Sequence, residues 1–466
     1  MITTHLQLEL QEQNKWQFKP QFKNWKVFDQ LVYNEFLTTE QHYLQQCQNL
    51  ENIVKFAVNH VPYYRNLFQE LGLSYHDIKN IHDLTKIPIL SQTNLIEKFN
   101  ELTAEILPKG EKMYGYTASS GTTGRPKKVL TIVKNNLMFS ILCQRNYRFA
   151  RFNPFGKMAV IRWSHSIPRL KDGSSNPDGE TFRLNNWQYP GQFFYTGIEV
   201  FFNDTNPIEK QLEWLYKQQP HYLITYAGTL EHLAFANHQK NAIESLRSAL
   251  TISEMLTDSM EQKINSNFNI PVTQNYGLNE IGIVAMQCSE KRYHIYTEHC
   301  LVEIINEEGK PCQHGEQGRI IITGLNNFAM PLIRYDTDDL AIALTDSCPC
   351  GRTLPSFGKI IGRYRRYANL PENTLLYYEK VCDLIAQMPN HLISNLRQYQ
   401  LHQYANNTFE LRLLTVDDLP TQFYQIINQI WQETVKDSSV TLEIITVDKI
   451  PKAKSGKTDY FTSDFF

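Results

Sequence analysis

The chain has no apolar run near the roughly 18 residues that a bilayer-spanning helix needs, which argues against a helical membrane span. Its first residues, Met1–Gln21, mix charged and apolar side chains without an apolar core, so no secretory signal is expected and the expected location is cytoplasmic. Neither sign of charge dominates: 46 Lys+Arg against 48 Asp+Glu leave a net charge of −2, too little for a basic field that would draw in nucleic acid. Eight cysteines in 466 residues are too few for a disulfide scaffold. No internal repeat, low-complexity tract or Walker-type Gly-x4-Gly-Lys-Ser/Thr loop occurs. What is left is a large core-forming chain that divides into more than one domain.

The most informative stretch present is Tyr116-Thr117-Ala118-Ser119-Ser120-Gly121-Thr122-Thr123-Gly124-Arg125-Pro126-Lys127. Gly121 and Gly124 let the backbone turn where a Cβ would clash, so that amide N–H groups converge on an anion. The hydroxyls of Ser119, Ser120, Thr122 and Thr123 add donors, and Arg125 and Lys127 add positive charge. This is the chemistry of a phosphate-holding loop, set against the plainer reading of a polar surface turn.

Patterning around the loop is α/β. Residues 1–100 read as helical, with Thr38 and Gln41 as a capping box and an apolar face through Leu44, Cys47, Leu50, Val54, Ala57 and Val58. From about 116 to 345, short apolar runs (128–133, 158–163, 222–226, 250–253, 272–275) alternate with helical patterns (207–218, 230–239, 259–266). The runs 301–305 and 319–323 follow without helices between them and predict a smaller β subdomain. Residues 164–192 lack periodicity and read as a functional or lid loop. His165 lies there, a candidate for the substrate side beside Tyr226-Ala227-Gly228. The last hundred residues form a separate module: strands at 398–404 and 408–416, a helix 421–435, and a strand alternating through Val440, Leu442 and Ile444.

Two more clusters carry chemistry. Asn275-Tyr276-Gly277-Leu278-Asn279-Glu280 offers a ring to stack on a base, amides, and a carboxylate for Mg²⁺. Cys348-Pro349-Cys350-Gly351 with Cys288 and His294 supplies four soft ligands of the kind a tetrahedral zinc takes. Spacing alone leaves Cys300 and Cys312 as alternatives, and equally leaves Cys288 as a core residue. Cys47, Cys143 and Cys382 read as core.

Taken in order along the chain, these motifs resemble the adenylate-forming superfamily. SSGTTGRPK is similar to its phosphate loop, and Tyr276-Gly277-Leu278-Asn279-Glu280 to its Tyr-Gly-x-Thr/Ser-Glu, with Asn279 in the hydroxyl position. Tyr335-Asp336-Thr337-Asp338-Asp339-Leu340 matches Tyr-x-Thr-Gly-Asp-Leu, with Asp338 replacing Gly. Gly362-Arg363 resembles the hinge pair, followed here by Tyr364-Arg365-Arg366 where acidic residues are usual. Pro451-Lys452-Ala453-Lys454-Ser455-Gly456-Lys457 matches the closing motif. Asn59-His60-Val61-Pro62-Tyr63-Tyr64-Arg65 and Cys348-Pro349-Cys350-Gly351-Arg352-Thr353 look like the phenylacetate–CoA ligase-like branch.

The resemblance implies an ATP- and acyl-binding domain over 1–362, built of layered α/β plus the β subdomain, and a small mobile α+β domain over 363–466. It implies ATP at Ser119, Ser120, Gly121, Thr122, Thr123, Gly124, Lys127, Ser253, Glu254, Asn275, Tyr276, Gly277, Asn279, Asp339 and Arg363. Lys457, Glu280 and Thr122 are the implied catalytic residues, with Glu280 on Mg²⁺ and Cys288, His294, Cys348 and Cys350 on structural zinc. The implied reaction joins an aryl or arylacetic acid to coenzyme A through an acyl-adenylate. An acyl carrier protein or an amine as acceptor, and a nucleotide-binding regulator without turnover, are the other readings.

Overall fold

The Thr39–His60 helix begins where the sequence caps it: Thr38 Oγ1 accepts from Gln41 N–H while the Gln41 side chain accepts from Thr38 N–H. Pro62 at the first position of the next helix, Pro62–Glu70, enforces the break at Val61. Leu50, Val54 and Ala57 of the predicted face are buried together with Ile53, whereas Leu44, near the start of the Thr39–His60 helix, is exposed. The structure is a computed structural model that describes residues 2–22, 26–118, 127–237, 243–363, 367–371, 375–405, 407–451 and 458–465. Chain contacts divide it into two compact units, one of 1–154, 189–195 and 275–360, the other of 155–188, 196–274 and 361–466.

In the first unit the helical stripe packs with an antiparallel set of strands. Cys300–Ile305, Gln317–Gly324 and Tyr335–Ala343 run as a meander, which is the predicted β subdomain. Tyr293–Ile295 pairs with Gly282–Gln287 on one side and with Ser356 and Phe357 on the other. Asn275–Leu278 closes against Gly282–Met286 with a register shift at Tyr276. Leu50, Ile53, Tyr64, Val284, Ile320, Ile322 and Tyr335 share one core.

The second unit holds a parallel sheet. Met158–Arg162 lies between Glu199–Asn203 and Tyr222–Thr225, followed by Ser248–Thr251 and Val272–Gln274. Ile208–Gln218, Ala227–Ala236 and Asp258–Phe268 are the connecting helices. Glu199–Asn203 is buried along its whole length, as parallel strands covered on both faces are. The stretch 164–192 is mostly irregular, but Phe182–Leu184 pairs antiparallel with Phe201–Glu199, a strand its weak patterning hides. Residues 396–405 and 408–415 form the predicted hairpin, with Thr441–Thr446 and Phe461–Ser463 added in parallel on either side. The Thr421–Val435 helix covers this sheet through Phe423, Ile427 and Trp431. Ala227, Phe235 and Met260 belong to the same core, so the last hundred residues pack onto the 227–236 and 258–268 helices.

Candidate functional site

Lys127 precedes the Lys128–Ile132 strand, and its ammonium is buried against the Glu280 carboxylate, Nζ to Oε1 2.9 Å. The same nitrogen donates to Gln92 Oε1 at 3.2 Å, and Gln92 Nε2 donates to the Thr337 carbonyl at 2.9 Å. Tyr335 Oη donates to Glu280 Oε1 at 3.2 Å, and Tyr276 Oη donates to Asp339 Oδ2 at 2.8 Å. The first unit therefore brings together Lys127, Tyr276, Glu280 and Asp339, residues from three segments that lie far apart in the chain. Charge, ring and carboxylates meet as nucleotide recognition requires. Gln92 and Tyr335 complete the arrangement, and no motif pointed to Gln92.

Two of the three departures from the resembled pattern, Asn279 and Asp338, have local explanations. Asn279 Nδ2 donates to the Ala118 carbonyl at 3.1 Å and the Asn279 carbonyl accepts from Thr117 Oγ1 at 2.7 Å, so this residue ties the strand entering the phosphate loop to the 275–280 turn. Asp338 has φ +65°, the left-handed region a glycine occupies freely and an aspartate tolerates better than most residues. Its N–H donates to Asp336 Oδ1, and Asp336 is held by Arg319 at 2.6 Å.

In the second unit Ser253, also at a positive φ of +65°, turns the chain after Ser248–Thr251 and presents Glu254. Glu254 Oε2 accepts from the Gly228 N–H at 2.8 Å, at the start of the Ala227–Ala236 helix, whose free amides and dipole favour a carboxylate. Trp163 N–H reaches Tyr226 Oη at 3.4 Å, and the Trp163 ring stacks on the exposed His165. Ser119, Ser120, Gly121, Thr122, Thr123, Gly124 and Lys457 lie outside the described residues, as do Tyr364, Arg365 and Arg366. Asn275, Gly277 and Arg363 lie on the strands 272–278 and 356–363.

A separate centre is formed by Cys288, His294, Cys348 and Cys350, all buried, with one ligand atom from each lying within 4.8 Å of the others. His294 Nδ1 sits 3.1 Å from the Leu354 carbonyl, which fixes the proton there and leaves Nε2, 3.2 Å from Cys350 Sγ, as a free ligand. The hydrogen bond from Cys288 pulls the Cys350 thiol well below the usual thiol range, and the same bond pushes Cys288 above it. A soft divalent cation would take the place of that shared proton. Gly351 has φ +84°, and a Cβ there would lie 2.4 Å from the His5 ring, so the turn that closes just after Cys350 requires glycine. Cys300 and Cys312 stand elsewhere, near the Val284 and Gln317 carbonyls respectively. Next to the cluster, Arg352 pairs with Glu35 at 2.9 Å and Glu9 at 2.5 Å, and Arg145 pairs with Glu35 at 3.0 Å and Glu298 at 3.2 Å. Arg148 bridges Glu9 and Glu35 as well. This buried network moors the cysteine turn to the N-terminal helices, and nothing in local spacing announces it.

Among the described residues no helix is long and apolar enough to cross a membrane. No family model matches the chain. It is 29% identical over 339 residues to the phenylacetate-coenzyme A ligase of Thermus thermophilus, covering 71% of this chain and 72% of that one. It is 28% identical over 328 residues to the enzyme of the same name from Escherichia coli, covering 68% and 70%. Among solved structures it is similar to a 2-hydroxyisobutyryl-CoA ligase in its postadenylation state with 2-HIB-AMP, at a TM-score of 0.74 and 15% identity, over 92% of this chain and 91% of that one. The same ligase with 2-HIB-AMP and CoA in its thioesterification state gives 0.60 at 15% identity, over 92% and 91%. The chain is phenylacetate–CoA ligase-like in sequence and has the fold of the adenylate-forming CoA ligases.

Proposed function

We propose that the protein activates a carboxylic acid of aryl or arylacetic type with ATP and transfers the acyl group to coenzyme A. The observation that carries the reading is the buried Lys127–Glu280 pair bridged by Gln92 and Tyr335 to the strand that bears Asp339. A phosphate-loop cation, a metal-binding carboxylate and a ribose-binding carboxylate stand in one network. The curated relatives are named for phenylacetate and coenzyme A, which supports the substrate class.

In the first step an oxygen of the substrate carboxylate bonds to the α-phosphorus of ATP as the bond to pyrophosphate breaks. Ser119, Ser120, Gly121, Thr122, Thr123, Gly124 and Lys127 hold the phosphates, and Asp339 accepts from the ribose hydroxyls. Tyr276 is assigned to the adenine, and Asn275, Gly277, Ser253 and Glu254 are assigned to ATP as well. Lys457 neutralises charge between nucleophile and phosphorus. Glu280, which already faces a cation, fits Mg²⁺, an ion that would neutralise the departing pyrophosphate. In the second step the coenzyme A sulfur bonds to the acyl carbon and AMP leaves with the electron pair. Residues 363–466 turn between the steps, with Arg363 at the pivot. Tyr226, Ala227, Gly228 and His165 are assigned to the acyl side, and the working compartment is the cytoplasm. Cys288, His294, Cys348 and Cys350 fit a structural zinc: four protein ligands leave no position open for chemistry.

The test is acid-dependent pyrophosphate release with Mg·ATP across aryl, arylacetic, fatty and amino acids, first without acceptor and then with coenzyme A or a carrier protein. Release confined to aryl and arylacetic acids, with thioester formed on adding coenzyme A, is the expected result. Silence across the panel while ATP still binds would overturn it.

A further inference from the structure

Thr458 follows Lys457 in the chain, and its backbone N–H donates to Glu254 Oε1 at 2.8 Å. The other oxygen of that carboxylate is held by Gly228 N–H at 2.8 Å. One side chain thus joins the first turn of the 227–236 helix to the residue beyond Lys457. Two residues further on, Tyr460 Oη donates to Glu231 Oε2, a short contact within the same helix's buried face. Glu231, Thr458 and Tyr460 are 0%, 5% and 0% exposed, so both attachments are shielded from water, where such bonds hold more firmly.

Gly228 has the residue type this arrangement needs. A Cβ at position 228 would lie 2.8 Å from Thr458 Oγ1, 2.9 Å from Thr458 Cβ and 3.0 Å from Glu254 Oε2. Its φ is not in the left-handed region, so close approach of the 458 segment is the reason for glycine here. Glu254 is itself fixed from behind, since Gln274 Nε2 donates to its carbonyl at 2.5 Å and Ser253 supplies the strained turn that aims it.

We propose that Glu254 and Glu231, with Gly228 making room, form a two-point latch on Thr458 and Tyr460, the residues that follow Lys457 in the chain, and that this latch serves adenylation. Both glutamates are positioning residues for that half-reaction. The inference rests on the assignment of Lys457 to adenylation made above. A latch on the segment after the lysine acts on the step that uses the lysine and is indifferent to the step that does not. A carboxylate serving only as adenine contact would instead change the affinity for ATP.

The experiment uses the full chain and the variants Glu254→Gln, Gly228→Ala and Tyr460→Phe, each also combined with Lys457→Ala. Two rates are read: acid-dependent ATP–pyrophosphate exchange, and thioester formation from coenzyme A and a chemically supplied acyl-adenylate. Misplacing a reacting group by about 1 Å costs on the order of 100-fold, so exchange is expected to fall roughly 10- to 100-fold in kcat. For Tyr460→Phe, which lies outside the residues assigned to ATP and acyl binding, the KM for ATP and the rate from supplied adenylate are expected to stay within about twofold, and all three latch variants are expected to add no further loss of exchange in the Lys457→Ala background. Equal loss in both half-reactions, loss confined to the KM for ATP, or full multiplicative loss on top of Lys457→Ala would each overturn the latch. Tyr460→Phe removes one hydroxyl and guards against misfolding as the cause. Undiminished exchange in Lys457→Ala alone would overturn the lysine assignment and the latch with it. A dead Lys457→Ala beside unaffected Glu254→Gln and Gly228→Ala would overturn the latch only.

Discussion

Replacing Glu280 by glutamine keeps the shape of the site and deletes one charge of a buried pair. The ammonium of Lys127 stands 2.9 Å from the carboxylate, with side-chain exposures of 10% and 4%. At an effective dielectric of about 20 the gross attraction at that distance is about 6 kcal/mol, most of which offsets the desolvation of the two groups. The net worth of the pair is therefore small. Breaking it from one side is a different matter, because Lys127 then stays buried facing neutral amide oxygens, the new one at 280 and Gln92 Oε1 at 3.2 Å, with no counter-charge from residue 280. Loss of one partner of a buried pair costs about 3–5 kcal/mol. Glu280→Gln is expected to lower the urea midpoint accordingly with an unchanged slope. Glu280→Gln with Lys127→Met should recover at least about 2 kcal/mol of that loss. Both variants should be inactive in pyrophosphate release at every Mg²⁺ concentration. A cost under about 1 kcal/mol for Glu280→Gln, or no recovery in the double variant, would refute the reasoning, since neither fits a desolvated pair.

Three further outcomes follow from other parts of the structure. Purified protein should carry about one zinc per chain, and Cys350→Ser or His294→Ala should lose the metal and melt earlier while the folded fraction keeps its kcat; a metal-free wild type would overturn the assignment. Burial pushes Glu199 from 4.5 up to about 8, so the native state keeps a proton that the unfolded chain releases. Its stabilising contribution is then present below about pH 4.5 and is lost as pH rises through 8. Glu199→Gln should match wild type near pH 5 and exceed it by about 4 kcal/mol near pH 8.5, read by denaturant midpoints; parallel pH curves would contradict this. At Asp338, φ +65° predicts that Asp338→Val costs about 1–2 kcal/mol while Asp338→Gly leaves stability within about 0.5 kcal/mol, and equal effects of the two would count against backbone strain.

The sequence was legible where local rules decide the outcome. The capping box at Thr38 and Gln41, the helix Thr421–Val435 and the hairpin 396–415 stand where capping, periodicity and turn residues put them. The phenylacetate–CoA ligase-like motifs and the clustering of Cys288, His294, Cys348 and Cys350 could be read for the same reason: the residue types themselves announce the chemistry. The strand Glu199–Asn203 was missed because a strand covered on both faces has no alternation to detect. The strand Phe182–Leu184 was missed because three residues are too few to show a period.

The residues that stayed hidden share a property: their role depends on partners far away in the chain. Gln92 is an ordinary helix residue until Lys127 and the Thr337 carbonyl stand on either side of its amide. Glu35 and Arg352 are 317 positions apart, and only the fold makes them a pair. Glu254 is the sharpest case. By resemblance it is an ATP residue beside Ser253, and its carboxylate also receives N–H groups from residues 26 positions before it and 204 positions after it. Local pattern can supply a side chain with a chemistry, but the choice among that chemistry's uses is made by long-range contacts. Such residues are therefore the ones to mutate first when a motif-based assignment has named the reaction and left its control unassigned.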